Sequence, residues 1–185
     1  MRRDAFGHTR LLRIDVHGRP SGHPWHPQVR KADADLRHPL RRALAAGRRV
    51  AIVAVENSSI DLIFRSRRID YFTETYDEEV VERTLNLVAA DQHDFILAYQ
   101  QEYDDKMHAT VPRSPEALRA MANHVRDFDR VARAARDRWA TTSYAVAFVS
   151  DHGTHIDPST GRGTHGSNMA DDLEVRLFWG VHFPV

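Results

Sequence analysis

Apolar positions along the chain recur with two different periods. In residues 36–46, Leu40, Leu44 and Ala45 return at helical spacing, and Gly47 stands where such a helix would end. Residues 49–55 form a nearly continuous apolar run, the composition of a strand buried on both faces of a parallel sheet. Asp77 is placed to cap a helix over residues 78–90, which carries Val81, Leu85 and Val88 on one face and acids in its first turn. Residues 95–99 predict another short buried strand. Ser114, Pro115 and Glu116 then combine a capping hydroxyl with proline at the first helical position, and the helical pattern runs to about Trp139. Residues 143–149 predict a strand that ends at Ser150-Asp151-His152-Gly153. A loop rich in glycine and threonine leads to a last predicted strand, residues 173–179.

Strands separated by helices of ten or more residues require crossover connections. The fold class expected is therefore α/β, a mostly parallel sheet with helices on both faces. Residues 1–35, with Gly7, Gly18, Pro20, Gly22, Pro24 and Pro27, carry neither period and read as loop and extended chain. The expected organisation is a single domain over residues 1–185, an irregular segment 1–35 followed by a core 36–185. In such sheets ligands gather at the carboxyl ends of strands. Chemistry is thus expected after Tyr99, after Val149 and in the loop before Leu173.

Composition narrows the chemistry. The 185 residues carry 26 basic and 26 acidic side chains, so the formal charge is zero and no general electrostatic partner, nucleic acid or membrane surface, is implied. Arginines within residues 119–138 are interleaved with Asp127, Asp129 and Asp137, as on the polar face of a helix. Cysteine is absent, which excludes disulfides, thiolate metal sites and cysteine nucleophiles. The twelve histidines and the aspartates are left as the candidate metal ligands. No run approaches the roughly 18 to 20 apolar residues that cross a bilayer. The charged start lacks the apolar core of a secretory signal, so a soluble, cytoplasmic protein is expected. Trp139, Trp179 and Phe148 are expected in the core.

Three short motifs fall where the sheet rule directs attention. Asp104 and His108 are four residues apart, which puts them on one side of a helical turn. An isolated pair of this kind is ordinarily just solvated. Asp151-His152-Gly153 stands at a strand end, where adjacent side chains diverge and glycine permits a sharp turn. Thr164-His165-Gly166 follows thirteen residues on and lowers the odds of coincidence. Asp171 and Asp172 either orient the His165 loop or cap a turn. His155, His23 and His26 read as solvated loop histidines.

The ordered set, Asp-x-x-x-His, Asp-His-Gly at the end of an apolar strand, His-Gly in the next loop, then an acid and an apolar strand, resembles the metal-binding half of the alkaline phosphatase superfamily. That superfamily includes phosphoglycerate mutases, nucleotide pyrophosphatase/phosphodiesterases and sulfatases. The resemblance covers residues 49–185. It implies an alkaline phosphatase-like core and two divalent ions, zinc or manganese. Asp104, His108 and His165 would hold one ion, and Asp151 and His152 would belong to the other. Two cations about 4 Å apart stabilise both the attacking and the leaving oxygen of an in-line displacement at phosphorus. The implied activity is metal-dependent hydrolysis or phosphoryl transfer on a small-molecule phosphate ester. Members of the superfamily also carry, before the matched region, a strand ending in a metal-binding aspartate and then a serine or threonine nucleophile. Asp15 and Thr9 imitate these in the wrong order. A core incomplete at its N-terminus and lacking the nucleophile is therefore expected, with self-association through an exposed edge. The alternative is a noncatalytic metal-binding or partner-binding protein of the same fold.

Overall fold

The computed structural model describes residues 39–184, which lie within the compact unit Asp35–Val185. The irregular segment 1–35, with Thr9, Asp15, His23 and His26, falls outside the described residues, as does Leu36. The chain opens with α1 (Pro39–Ala45) and enters β1 (Val50–Val55), whose six residues are all buried. A full apolar run is stable only with cover on both sides, and β1 is the central strand of a parallel three-stranded sheet ordered β2-β1-β3. Here β2 is Asp70–Glu74 and β3 is Phe95–Tyr99. The registers run Ala51 to Asp70 on one side and Val50 to Phe95 on the other.

Between these strands lie α2 (Ser59–Phe64) and α3 (Asp77–Ala90). Val80 and Leu87 of α3 pack on Ala51, Val53 and Val55, and Phe72, Tyr76 and Ile96 close the cluster. This is the expected helical face, widened from Val81 and Val88 to include Val80, Thr84 and Leu87, with Leu85 half-buried. The strand β3 departs from its expected burial, since Phe95 is 43% exposed. The reason is topological: among the described strands β3 is hydrogen-bonded only to β1, so it is an edge.

Neither α2 nor β2 was anticipated. The first is six residues long and buries a carboxylate, Asp61. Asp61 accepts hydrogen bonds from Tyr71 (2.9 Å) and Thr73 (3.0 Å) of β2, from the Asn57 amide (2.8 Å) and from Arg65. These bonds overcome the burial that opposes its ionisation and hold its carboxyl below the usual range, while burial and Asp61 raise the Tyr71 phenol.

The second half begins with α4 (Glu102–Ala109) and α5 (Pro115–Arg138). As expected, Ser114 caps α5, its hydroxyl accepting from the Ala117 amide at 3.1 Å, with proline in the first turn. The interleaved charges pair: Arg133 with Asp129 at 2.8 Å, and Arg130 with Asp127 at 3.3 Å and with Glu78 at 3.5 Å. Next come β4 (Tyr144–Val149), β5 (His155–Ile156), β6 (Gly163–Thr164), α6 (Ala170–Leu173) and β7 (Leu177–His182). The last strand is shifted from the expected 173–179, because Ala170-Asp-Asp-Leu173 forms a helical turn. It pairs antiparallel with β4, and β5 pairs antiparallel with β6, so among the described residues parallel order holds in the three-stranded sheet alone.

Phe148 packs on Phe128 with centroids 5.4 Å apart, and Trp139 is half-buried with its indole N–H donated to Asp91. Trp179 is 50% exposed, against its expected place in the core. Among the described residues no helix is long and apolar enough to cross a membrane.

Candidate metal centre

Two strand ends and one hairpin deliver the site. From the carboxyl end of β3 the chain turns directly into α4, whose i, i+4 spacing presents Asp104 and His108 side by side. From the end of β4 come Asp151 and His152. The β5–β6 hairpin then leads into the turn that carries His165.

Of the five expected residues, Asp104, His152 and His165 each bring a ligand atom to within 4.8 Å of the others, while His108 stands beside Asp104 and Asp151 beside His152. Asp104 Oδ1 lies 3.4 Å from His108 Nε2, 3.4 Å from His165 Nε2 and 4.0 Å from His152 Nε2. The rings of His152 and His165 stack with centroids 3.7 Å apart, and that of His108 tilts against His165 at 4.9 Å. Asp151 stands at the rim, its Oδ1 3.6 Å from His152 Nε2. Tyr99 reaches the other Asp151 oxygen at 3.5 Å, and burial, reinforced by the Asp151 charge, pushes its phenol up to about 12.

The imidazoles are held from behind. His108 Nδ1–H donates to the Gly163 carbonyl and His152 Nδ1–H to the Gly153 carbonyl, each at 3.0 Å. In a neutral ring this tautomer leaves Nε2 as a bare lone pair, and both Nε2 atoms point at a carboxylate oxygen. Burial, reinforced by His152 beside it, holds the His165 imidazole below its ordinary value, so its ring favours the neutral form. The three Nε2 atoms thus converge on one carboxylate oxygen that has no hydrogen-bond partner, an arrangement that a cation held between them would satisfy.

Asp104 Oδ1 completes the test of fit, because it is buried and has no hydrogen-bond partner. Ligands about 2.1 Å from a tetrahedral ion stand about 3.4 Å apart, which is the separation of Asp104 Oδ1 from two of the three imidazoles. The donor set, nitrogen and oxygen without sulfur, suits zinc or manganese.

Besides Asp104, His152 and His165, the group Asp77, Glu102 and His124 has ligand atoms within 4.8 Å of one another. Its chemistry is different. Asp77 accepts the backbone N–H of Gln101 at 2.7 Å and of Glu102 at 3.0 Å, and His124 donates to it at 2.8 Å. Its oxygens are satisfied by protons, so this carboxylate ties α4 down. Asp77 was expected to cap its own helix, α3, but Tyr76 is the residue at that cap and makes no side-chain cap bond.

Two close approaches set the loops. A Cβ on Gly153 would lie 1.8 Å from the Asp171 carbonyl oxygen, and one on Gly163 would lie 2.4 Å from that of Met107. Gly153 is therefore required by contact with the 171–172 backbone, and not by the sharp turn that the sequence suggested. His155, expected to be solvated, is 13% exposed at its side chain and donates to Asp172 at 2.8 Å. Asp172 accepts also from the Ser167 amide at 2.7 Å. Asp171 is exposed. The roles of His155, His124 and Asp77 have no local signal, because each partner is distant in sequence.

Comparison with curated proteins and with solved structures gave no match in either. A comparison with family profiles matched residues 17–174 to the type I phosphodiesterase / nucleotide pyrophosphatase family. That match covers most of the chain, and the parallel sheet flanked by helices is consistent with an alkaline phosphatase-like fold. The chain belongs to the type I phosphodiesterase / nucleotide pyrophosphatase family, within the alkaline phosphatase superfamily.

Proposed function

We propose that the chain is the metal platform of a phosphoric ester hydrolase of the phosphodiesterase or phosphatase type, acting on a small-molecule phosphate ester. The observation that carries this reading is Asp104 Oδ1, buried without a proton donor and facing three Nε2 atoms. In this reading Asp104, His108, His152 and His165 hold divalent metal, zinc or manganese, and Asp151 extends the site toward a second ion. When bound, such ions supply Lewis acidity to phosphoryl oxygens and to the attacking oxygen. The chain's own part is to keep the lone pairs inward. The carbonyls of Gly163 and Gly153 hold the Nδ1 protons of His108 and His152, and the Asp104 carboxylate balances part of the cationic charge.

No serine or threonine before residue 49 stands in the order and context that the superfamily's nucleophile takes, and we propose that the platform acts without an attacking hydroxyl of its own. Hydrolysis of p-nitrophenyl phosphate or bis(p-nitrophenyl) phosphate, with zinc or manganese supplied, tests this. Slow, metal-dependent turnover lost in Asp104→Ala is the expected result. Turnover in the ordinary enzyme range, about 1 to 1,000 per second, would contradict the missing nucleophile. Metal binding without any hydrolysis would favour the noncatalytic alternative. Self-association is part of the proposal, supported by Phe178, Trp179, Val181 and Phe183, all exposed at or beside β7; sedimentation at rising concentration measures it.

A further inference from the structure

We propose that Asp172 is the positioning residue that holds the two histidine-bearing loops of the metal centre in register, with His155 as its counterpart. This rests on the reading that the Asp104 cluster binds a divalent ion. His152 and His165 come from different loops, yet their rings must stay stacked at 3.7 Å with both Nε2 atoms aimed at one oxygen. Neither loop has a long element of its own to impose that, since β5, β6 and α6 are two, two and four residues long.

Asp172 supplies the missing constraint through three bonds. Its Oδ2 accepts the amide of Ser167, two residues beyond His165, at 2.7 Å. Its main-chain carbonyl accepts the amide of Gly153, the residue after His152, at 2.8 Å. Its Oδ1 accepts Nδ1–H of His155, at the start of the hairpin that joins the two loops, at 2.8 Å. The side chain of Asp172 is 2% exposed, so water does not substitute for these donors. The absence of a side chain at Gly153 permits the contact, because a Cβ there would strike the neighbouring Asp171 carbonyl. One residue thus reaches to within two positions of both histidines. The carboxylate matters chemically as well as sterically: an asparagine has one accepting oxygen, and its NH2 would face one of two N–H donors.

The experiment measures zinc affinity of the full chain by chelator competition, with the visible absorption of the cobalt form as a report on ligand geometry. Folding of each metal-free variant is checked by circular dichroism. Asp172→Asn is expected to weaken zinc about ten- to a hundredfold and to change the cobalt spectrum. His155→Asn, which keeps a donor near the Nδ1 position, is expected to stay near wild type, whereas His155→Ala loses affinity. Zinc affinity within about threefold of wild type in Asp172→Asn, with an unchanged cobalt spectrum while Asp104→Ala abolishes binding, would overturn the positioning role and leave the metal centre standing. Undiminished binding in Asp104→Ala would overturn both. Should Asp172→Asn fail to fold, the His155 pair decides: loss in Ala restored in Asn supports the proposal, and equal affinities overturn it.

Discussion

Asp104 illustrates how one atom can define a site. The buried carboxylates Asp61 and Asp77 are surrounded by protons, Asp61 by two hydroxyls, an amide and a guanidinium, Asp77 by two amides and an imidazole. Asp104 Oδ1 has none. A buried oxygen without a donor costs about 1 to 3 kcal/mol, so in the absence of metal the cluster is a strained part of the fold. Asp104→Asn should therefore raise the melting temperature in chelator, or leave it unchanged, while weakening metal binding at least tenfold. Calorimetry with and without zinc checks both halves, and a lower melting temperature in chelator would contradict the account. Two pairs, Asp104 with His108 and Asp151 with His152, were legible because their spacing is local, i to i+4 in α4 and adjacent at the end of β4, whereas His165 was reached only through the order of the motifs. The partners of Asp77, His124, His155 and Asp172 were not, because 47 residues separate Asp77 from His124 and 17 separate His155 from Asp172.

At the scale of elements, α4 carries Asp104 and His108 on eight residues and depends on its neighbours for placement. Asp77 caps it from α3, His124 of α5 braces Asp77, Tyr76 donates to Asp105 at 2.7 Å, and fully buried Met107 anchors its inner face. Asp77→Ala leaves two amides and an imidazole without their acceptor and should destabilise the protein by about 1 to 3 kcal/mol, measured by urea unfolding. An effect below about 0.5 kcal/mol would show that α4 is held otherwise. Gly163→Ala should lower metal affinity along with stability, because its Cβ would push the hairpin off the Met107 carbonyl and break the His108 bond to Gly163. The long elements were readable from period alone: β1, α3, α5 and β4 lie within a residue or so of expectation. The short ones were not. The turn α6 and the segment holding α2 and β2 have too few residues for a period, and Asp61 sits where a pattern of apolar burial predicts none.

For the whole molecule, zero net charge conceals a local imbalance that pH exposes. His165 is held below the ordinary imidazole value of about 6.5, so near and below that pH the unfolded chain binds a proton the folded chain does not. Stability of the metal-free protein should fall as pH drops through about 6.5 toward the lower folded value, with a smaller slope in His165→Asn. Asp172 adds a separate loss in acid: burial opposes its ionisation, but the bonds from His155 and Ser167 prevail and lower its carboxyl, so its contribution is present above about 3.9 and disappears below. Thermal melts in chelator from pH 7.5 to 3 resolve the two windows, and a melting temperature that rises between 7.5 and 5.5 would contradict the first.

The central claim is that Asp104 and the three imidazoles around it hold a divalent ion. The most direct measurement is the metal content of the full chain after equilibration with zinc or manganese and gel filtration, read by mass spectrometry beside Asp104→Ala. The account predicts about one or two equivalents retained by the wild type and a clear loss in the variant. A wild-type protein that retains no metal, or a variant that retains as much, would contradict it.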